Sequence, residues 1–264
     1  ALDMIGAKYV RNVKNGEVLI ISPNGIESIM PFGKTKERPC IFEIIYFSSP
    51  HSIIKGKTVY SYRKNLGEQL ANENKIDADV VCPIPDSGIP SAIGFSQKSL
   101  IPFEFGIIRS NYIGRTFIEP SQTIRQFGVK LKHSVNKSIV ENKKIILIDD
   151  SIVRGTTANK IVKMVFEAGA KEVHLGISCP PIKFPDYYGI DTPNINELIS
   201  SNIELNKINE IVGATSVFFL SLEGTYKAMG YERRDKKNPQ FSDHCFTGEY
   251  PIDISDLLND DIPT

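Results

Sequence analysis

The sequence predicts an α/β fold: a mainly parallel sheet covered by helices, with a short N-terminal β segment. Three observations carry that reading. Runs rich in valine and isoleucine (ADVVCPIP, KKIILIDD, KEVHLGISCP) alternate with amphipathic stretches of helical period. The runs are apolar throughout, as strands buried on both faces are, rather than alternating apolar with polar. The length of 264 residues, with 41% hydrophobic and 23% charged content, suffices for one sizeable core.

Taken in order, residues 8–13 (KYVRNV) and 17–21 (EVLII) read as two strands joined around Asn15-Gly16, a good turn dipeptide. The next stretch, SPNGIESIMPFGKTKERP, is broken by Pro23, Gly25, Pro31, Gly33 and Pro39 and reads as a linker. CIFEIIYF (40–47) is an apolar, aromatic strand candidate. Residues 58–74 read as a helix with Leu66 and Leu70 on one face. A buried strand (ADVVCPIP), the loop DSGIP, a helix near 90–99 and a strand at 101–109 (IPFEFGIIR) follow. KKIILIDD is the next strand, residues 157–170 the helix after it, and 171–180 a further strand. In that helix Ile161, Val165 and Ala168 fall at i, i+4 and i+7, and Gly169 stands where a C-terminal glycine belongs.

Charge and composition narrow the function. Thirty-one basic residues balance thirty-one acidic ones, which argues against a general nucleic-acid grip. No apolar run approaches the roughly 20 residues that span a bilayer, and the start lacks a signal-peptide pattern. A cytoplasmic protein without a membrane partner is expected. Cys40, Cys82, Cys179 and Cys245 show no CxxC spacing and read as reduced, mostly buried thiols.

The informative stretch is IILIDDSIVRGTT, residues 145–157. A buried strand ends in two carboxylates, Asp149 and Asp150, at the edge where open parallel sheets bind ligands. Residues 151–157 then form the strand-to-helix loop. Gly155 permits a tight turn, and Thr156 or Thr157 can cap the helix with a hydroxyl. Free amides at a helix start favour phosphate. That end effect is worth only about 0.3–1 kcal/mol, whereas each hydroxyl donating to a carboxylate adds roughly 1.5–3 kcal/mol. A sugar phosphate satisfies both halves: phosphate in the loop, vicinal hydroxyls on the aspartates, and Mg²⁺ to offset the carboxylate charge. Other phosphate motifs fail. GKT occurs at 33–35 and 56–58, but Ser28 and His51 stand where a Walker loop needs its first glycine, and no glycines lie two apart as GxGxxG requires.

IILIDDSIVRGTT resembles the phosphoribosyl-pyrophosphate (PRPP) loop of type I phosphoribosyltransferases, and more narrowly that of the amidophosphoribosyltransferase family. CIFEIIYFSSP, KNLGEQLA, PIPDSGIP, YIGRTFIEPSQTIRQFGVKLKHS, EAGAKEVH and FPDYYGIDTP are similar to that family's text in the same order. The resemblance implies a type I phosphoribosyltransferase fold. It implies that Asp149 and Asp150 hold the ribose hydroxyls and contribute to Mg²⁺ binding, and that Ser151, Arg154, Gly155, Thr156 and Thr157 surround the 5-phosphate. Ser87 matches the position near pyrophosphate and metal, with Asp86 beside it as a supporting or turn-forming residue. Arg109 to His133 matches the family's mobile loop, with Arg115 as its catalytic cation. The implied chemistry is displacement of pyrophosphate from PRPP by ammonia, giving 5-phosphoribosylamine in purine synthesis, by a homo-oligomer.

Two departures shape the expectations. Residues 1–36 resemble only the closing strands of the family's glutaminase domain plus a linker, followed by the phosphoribosyltransferase region (37–235) and a tail (236–264). Glutamine hydrolysis is therefore not expected from this chain alone, and a separate glutaminase domain or subunit could supply ammonia. Some family members carry a [4Fe–4S] cluster. Here Asp186 stands where a ligand cysteine is expected, which argues against a cluster. The rival readings are a PRPP-binding regulatory subunit, a pseudoenzyme and a salvage phosphoribosyltransferase. The GRTFI block and the long segment after residue 190 speak against the salvage reading, and the intact DDSIVRGTT against a pseudoenzyme.

Overall fold

The computed structural model describes residues 5–33, 36–110, 133–190, 192 and 194–255. At the front, β1 (Val18–Ser22) pairs antiparallel with β2 (Gly25–Ile29). The expected strand at 8–13 is not formed; those residues are exposed and irregular. Asn15-Gly16 does turn, with Glu17 N donating to Lys14 O at 3.0 Å. The partner of β1 comes instead from the presumed linker. Pro23-Asn24 closes a two-residue hairpin, a shorter loop than the expected pairing needs.

Residues 40–47 are not a strand. Ile41 and Phe42 are helical and Glu43–Phe47 form a π-helical turn. Ile41, Phe42, Ile44 and Ile45 are buried while Glu43, Tyr46 and Phe47 are not, a helical spacing that outweighs the β propensity of the residue types. After the short ladder β3 (Ile53–Ile54) and β4 (Lys57–Thr58), helix α1 (Val59–Glu73) starts at Thr58, whose hydroxyl accepts from Ser61 N at 3.2 Å. Then come β5 (Val80–Pro83) and α2 (Ile89–Ser99). α1 lies against α2 through glycines. A Cβ on Gly67 would sit 1.8 Å from Ser91 O, and one on Gly94 2.0 Å from Lys64 O.

The expected strand at 101–109 contracts to β6 (Ile107–Arg109), antiparallel to β7 (His133–Val135) and outside the main sheet; Phe103 forms only an isolated bridge to Val81. Next are α3 (Lys137–Val140), β8 (Lys144–Asp149), α4 (Thr156–Glu167) and β9 (Glu172–Ile177). Helices α5 (Ile199–Asn202) and α6 (Ile208–Val212), strand β10 (Ser216–Phe219), and helices α7 (Leu222–Ala228) and α8 (His244–Thr247) complete the described elements, with 3-10 turns at Ile195–Glu197 and Leu205–Lys207. The central sheet has the order β10-β9-β8-β5, all parallel. Ile145, Ile146, Leu147 and Ile148 of β8 are all fully buried, so both faces of the strand are covered. Burial of these four contributes on the order of 8 kcal/mol, comparable with the several kcal/mol that drawing a carboxylate out of water costs. The strand can therefore carry its terminal acids into a sheltered site.

Candidate functional site

The carboxyl ends of β5 and β8 and the start of α4 enclose an open cleft of ≈ 390 Å³. Ser87, Asp149, Asp150, Ser151, Arg154, Gly155, Thr156 and Thr157 all line it. Arg115 lies outside the described residues, as does most of the Arg109–His133 segment.

β8 ends at Asp149, half-buried at the mouth, and Asp150 behind it is buried at 4% exposure. Asp149 Oδ1 accepts from Asp150 N at 2.9 Å, and Asp150 Oδ1 from the Ser151 hydroxyl at 2.5 Å. Burial raises the pKa of both carboxyls, that of Asp149 well above its ordinary value, with the charge of Asp150 adding to the push. Hydroxyls of Ser151 and Ser87 and the positive charge of Arg63 act the other way on Asp150. Two acids held where their charge is disfavoured form an oxygen-only set that a hard cation would relieve, and so they fit Mg²⁺.

The cradle beside them begins at Gly155, which has φ +76° and is the N-cap of α4. No side chain caps this helix; Thr156 and Thr157 lie inside it, exposed to the cleft, rather than capping it. The first intrahelical bond is Asn159 N to Gly155 O at 2.9 Å, so the amides of residues 156–158 precede the ladder and are available to an anion. Arg154 reaches away, its Nε 2.5 Å from Glu197 Oε2. Both groups are half exposed, and such a pair is worth about 0–1 kcal/mol.

Ser87 belongs to the loop after β5, which carries a cis peptide between Pro85 and Asp86. Gly88 brings this loop against β8: a Cβ there would lie 2.4 Å from Ile148 O and 3.3 Å from Asp149 Cα. Asp86 is paired with Arg109 at the end of β6.

Several lining residues escaped the sequence reading: Phe42, Tyr46 and Phe47 from the helical turn, and Ile190 and Thr192 from the irregular stretch after β9. Arg63, 3% exposed, fastens that turn. Its Nε donates to Ile44 O at 2.9 Å, and Nη2 to Tyr46 O and Ser48 O at 2.7 Å each. CIFEIIYF is apolar at every position but Glu43, so no helical period marked the turn in the sequence; nothing local marks Arg63. With acceptor carboxylates, hydroxyl donors and helix-start amides on one wall, the cleft suits a ligand bearing both hydroxyls and phosphate.

Over 262 residues the chain is 53% identical to the amidophosphoribosyltransferase of Rhizobium etli, covering 97% of this chain and 53% of that protein. It is a homologue of the amidophosphoribosyltransferases. The solved structure of the B. subtilis glutamine PRPP amidotransferase, complexed with ADP and GMP, matches with a TM-score of 0.85 and 47% identity, over 96% of this chain and 55% of that one. A second solved structure, described as the allosteric regulatory enzyme of purine biosynthesis, gives a TM-score of 0.84 and 46% identity, over 96% of this chain and 54% of that one. The chain spans about half the length of the curated relatives it matches. No protein-family model matches it. The type I phosphoribosyltransferase-like fold expected from the sequence is thus present, with four parallel strands at its centre. Among the described residues no helix is long and apolar enough to cross a membrane.

Proposed function

We propose that these residues form the PRPP site of an amidophosphoribosyltransferase and that the chain displaces pyrophosphate from PRPP with ammonia, yielding 5-phosphoribosylamine in purine synthesis. The observation that carries this is the shared cleft: Asp149 and Asp150 stand beside the open amides of α4 and the Ser87 hydroxyl. The names of the relatives support it.

In this reading Asp149 and Asp150 accept hydrogen bonds from the ribose hydroxyls. Ser151, Gly155, Thr156 and Thr157 surround the 5-phosphate. Arg154 joins them by leaving Glu197, because a charge-assisted bond to phosphate, roughly 1.5–3 kcal/mol, exceeds what the exposed pair returns. Mg²⁺, held by Asp149, Asp150 and Ser87, supplies charge neutralisation for the departing pyrophosphate when bound. The ammonia lone pair forms the C1–N bond as the C1–O pair leaves with pyrophosphate, and the surplus proton passes to solvent. No strong base is needed, and the chain's work is positioning and exclusion of water. Arg115, outside the described residues, is proposed as a catalytic cation.

The division at residues 36 and 235 is retained as the proposed domain plan. The ammonia is proposed to come from a glutaminase domain or subunit outside these residues, the assembly to be a homo-oligomer, and the compartment the cytoplasm, where the four free thiols persist. No iron–sulfur cluster is proposed, because Asp186 is already engaged by His244 at 2.7 Å. Pyrophosphate release with PRPP, Mg²⁺ and either ammonium or glutamine tests the whole. Turnover with ammonium but not glutamine is expected; no heat on titrating PRPP with Mg²⁺ into folded protein would sink the proposal.

A further inference from the structure

One wall of the cleft comes from a stretch with no regular secondary structure. Ile190 and Thr192, which line the same cleft as Asp149 and Asp150, follow β9 by more than ten residues. Their position is set by Asp186. Its Oδ1 accepts from Tyr188 N at 2.7 Å and from Ile190 N at 3.1 Å, and its own amide donates to Thr192 Oγ1 at 2.6 Å. One residue thus folds the loop over itself, as Asx-type turns do.

The other carboxylate oxygen is held from far along the chain. Asp186 Oδ2 lies 2.7 Å from Nε2 of His244, 58 residues on, and His244 Nδ1 lies 2.9 Å from the Ser242 hydroxyl. A carboxylate can only accept, so Nε2 carries the proton of that bond. Both side chains are almost fully buried. The rings of Tyr188 and Tyr250 lie 5.1 and 5.0 Å from the imidazole. The segment bearing His244 is itself anchored. Asp243 accepts from the Tyr226 hydroxyl at 2.7 Å and from Arg234 at 2.6 and 3.1 Å, and Ser242 exchanges backbone bonds with Pro39 and Ile41. A rigid chain of contacts therefore runs from the core to the loop.

We infer that Asp186 and His244 are positioning residues of the site: their contact, anchored from the C-terminal segment, holds Tyr188, Ile190 and Thr192 in place as the wall against which PRPP is bound. The inference rests on the proposed function for its ligand, but not for its geometry.

His244→Leu removes the donor, whereas His244→Gln keeps an N–H near the place of Nε2. For the leucine variant we expect the Kd for PRPP with Mg²⁺ to rise about tenfold while kcat changes less than about threefold, because binding and not the reacting atoms is disturbed. Amide exchange at Tyr188 and Ile190 should quicken about tenfold or more, with β8 and β9 unaffected. The glutamine variant should restore most of both. A merely structural histidine would lower Tm and quicken exchange throughout, alike for leucine and glutamine, leaving Kd untouched; that pattern overturns the inference. Should the leucine variant not fold, Asp186→Asn replaces it, keeping the volume while placing an NH₂ against Nε2–H, with the same expectations. Wild-type protein that binds no PRPP would sink the proposed function, while the exchange comparison would still decide the positioning claim.

Discussion

The loops after β5 and β8 both leave the carboxyl end of a parallel strand, and both reach a helix through a glycine, yet the two glycines answer different demands. Gly155 has φ +76°, a conformation side chains resist, and the nearest atom to an added Cβ is Ile199 Cδ1 at 2.8 Å, the movable tip of a side chain. Gly88 has an ordinary φ of −73°, but an added Cβ meets the carbonyl oxygens of Ile148 at 2.4 Å and Ile84 at 2.8 Å. One glycine is required by its own backbone, the other by a strand that sequence places some sixty residues away. The site therefore has a locally encoded half, the anion cradle, and a half encoded only by packing, the Ser87 loop.

The largest effect should come where the two halves meet. Replacing Asp149 and Asp150 together by asparagine is expected to abolish pyrophosphate release from PRPP, and near-normal rates in that variant would contradict the site. Gly88→Ala comes next. Backbone lies on both sides, so about 3 kcal/mol or more of stability should be lost, with PRPP affinity falling as Asp149 is pushed; urea unfolding and calorimetry would show both. Gly155→Ala should cost less, about 1–2 kcal/mol for the left-handed backbone. Adding Ile199→Val should recover only the packing share. If Gly155→Ala proves the more damaging of the pair, the contrast drawn between the loops is wrong.

The smallest effect is a pH slope. Burial holds the folded pKa of Asp149 and Asp150 above the ordinary value of 3.8, so the folded state binds more protons than the unfolded chain. Their contribution to stability is then greatest below that value and is lost as pH rises through the raised pKa values. Without Mg²⁺ the urea midpoint should fall as the pH rises above about 4. Asp149→Asn should flatten the fall and leave the apo protein more stable, as removal of a buried functional charge commonly does. A midpoint that rises over the same interval would place the pKa shifts in the opposite direction.

Sequence and structure agree where a stretch is both periodic and contiguous. β8, α4 and α1 were readable because apolar runs and helical spacing each act over a few residues. CIFEIIYF was misread as a strand because residue type favoured β structure, whereas the burial pattern of Ile41, Phe42, Ile44 and Ile45 is helical. β10 went unread because four residues, SVFF, give too short a window for any period.

By itself the sequence determined the α/β class and the acid pair with the glycine turn that follows it, since these depend on neighbours along the chain. Only the tertiary structure decided that Tyr46, Ile190 and Thr192 would line the same cleft as that pair, and that Arg63 and His244 would hold their loops in position. Backbone preference reaches only a few residues, whereas which distant surfaces touch depends on how helices and strands pack, and no local pattern carries that information.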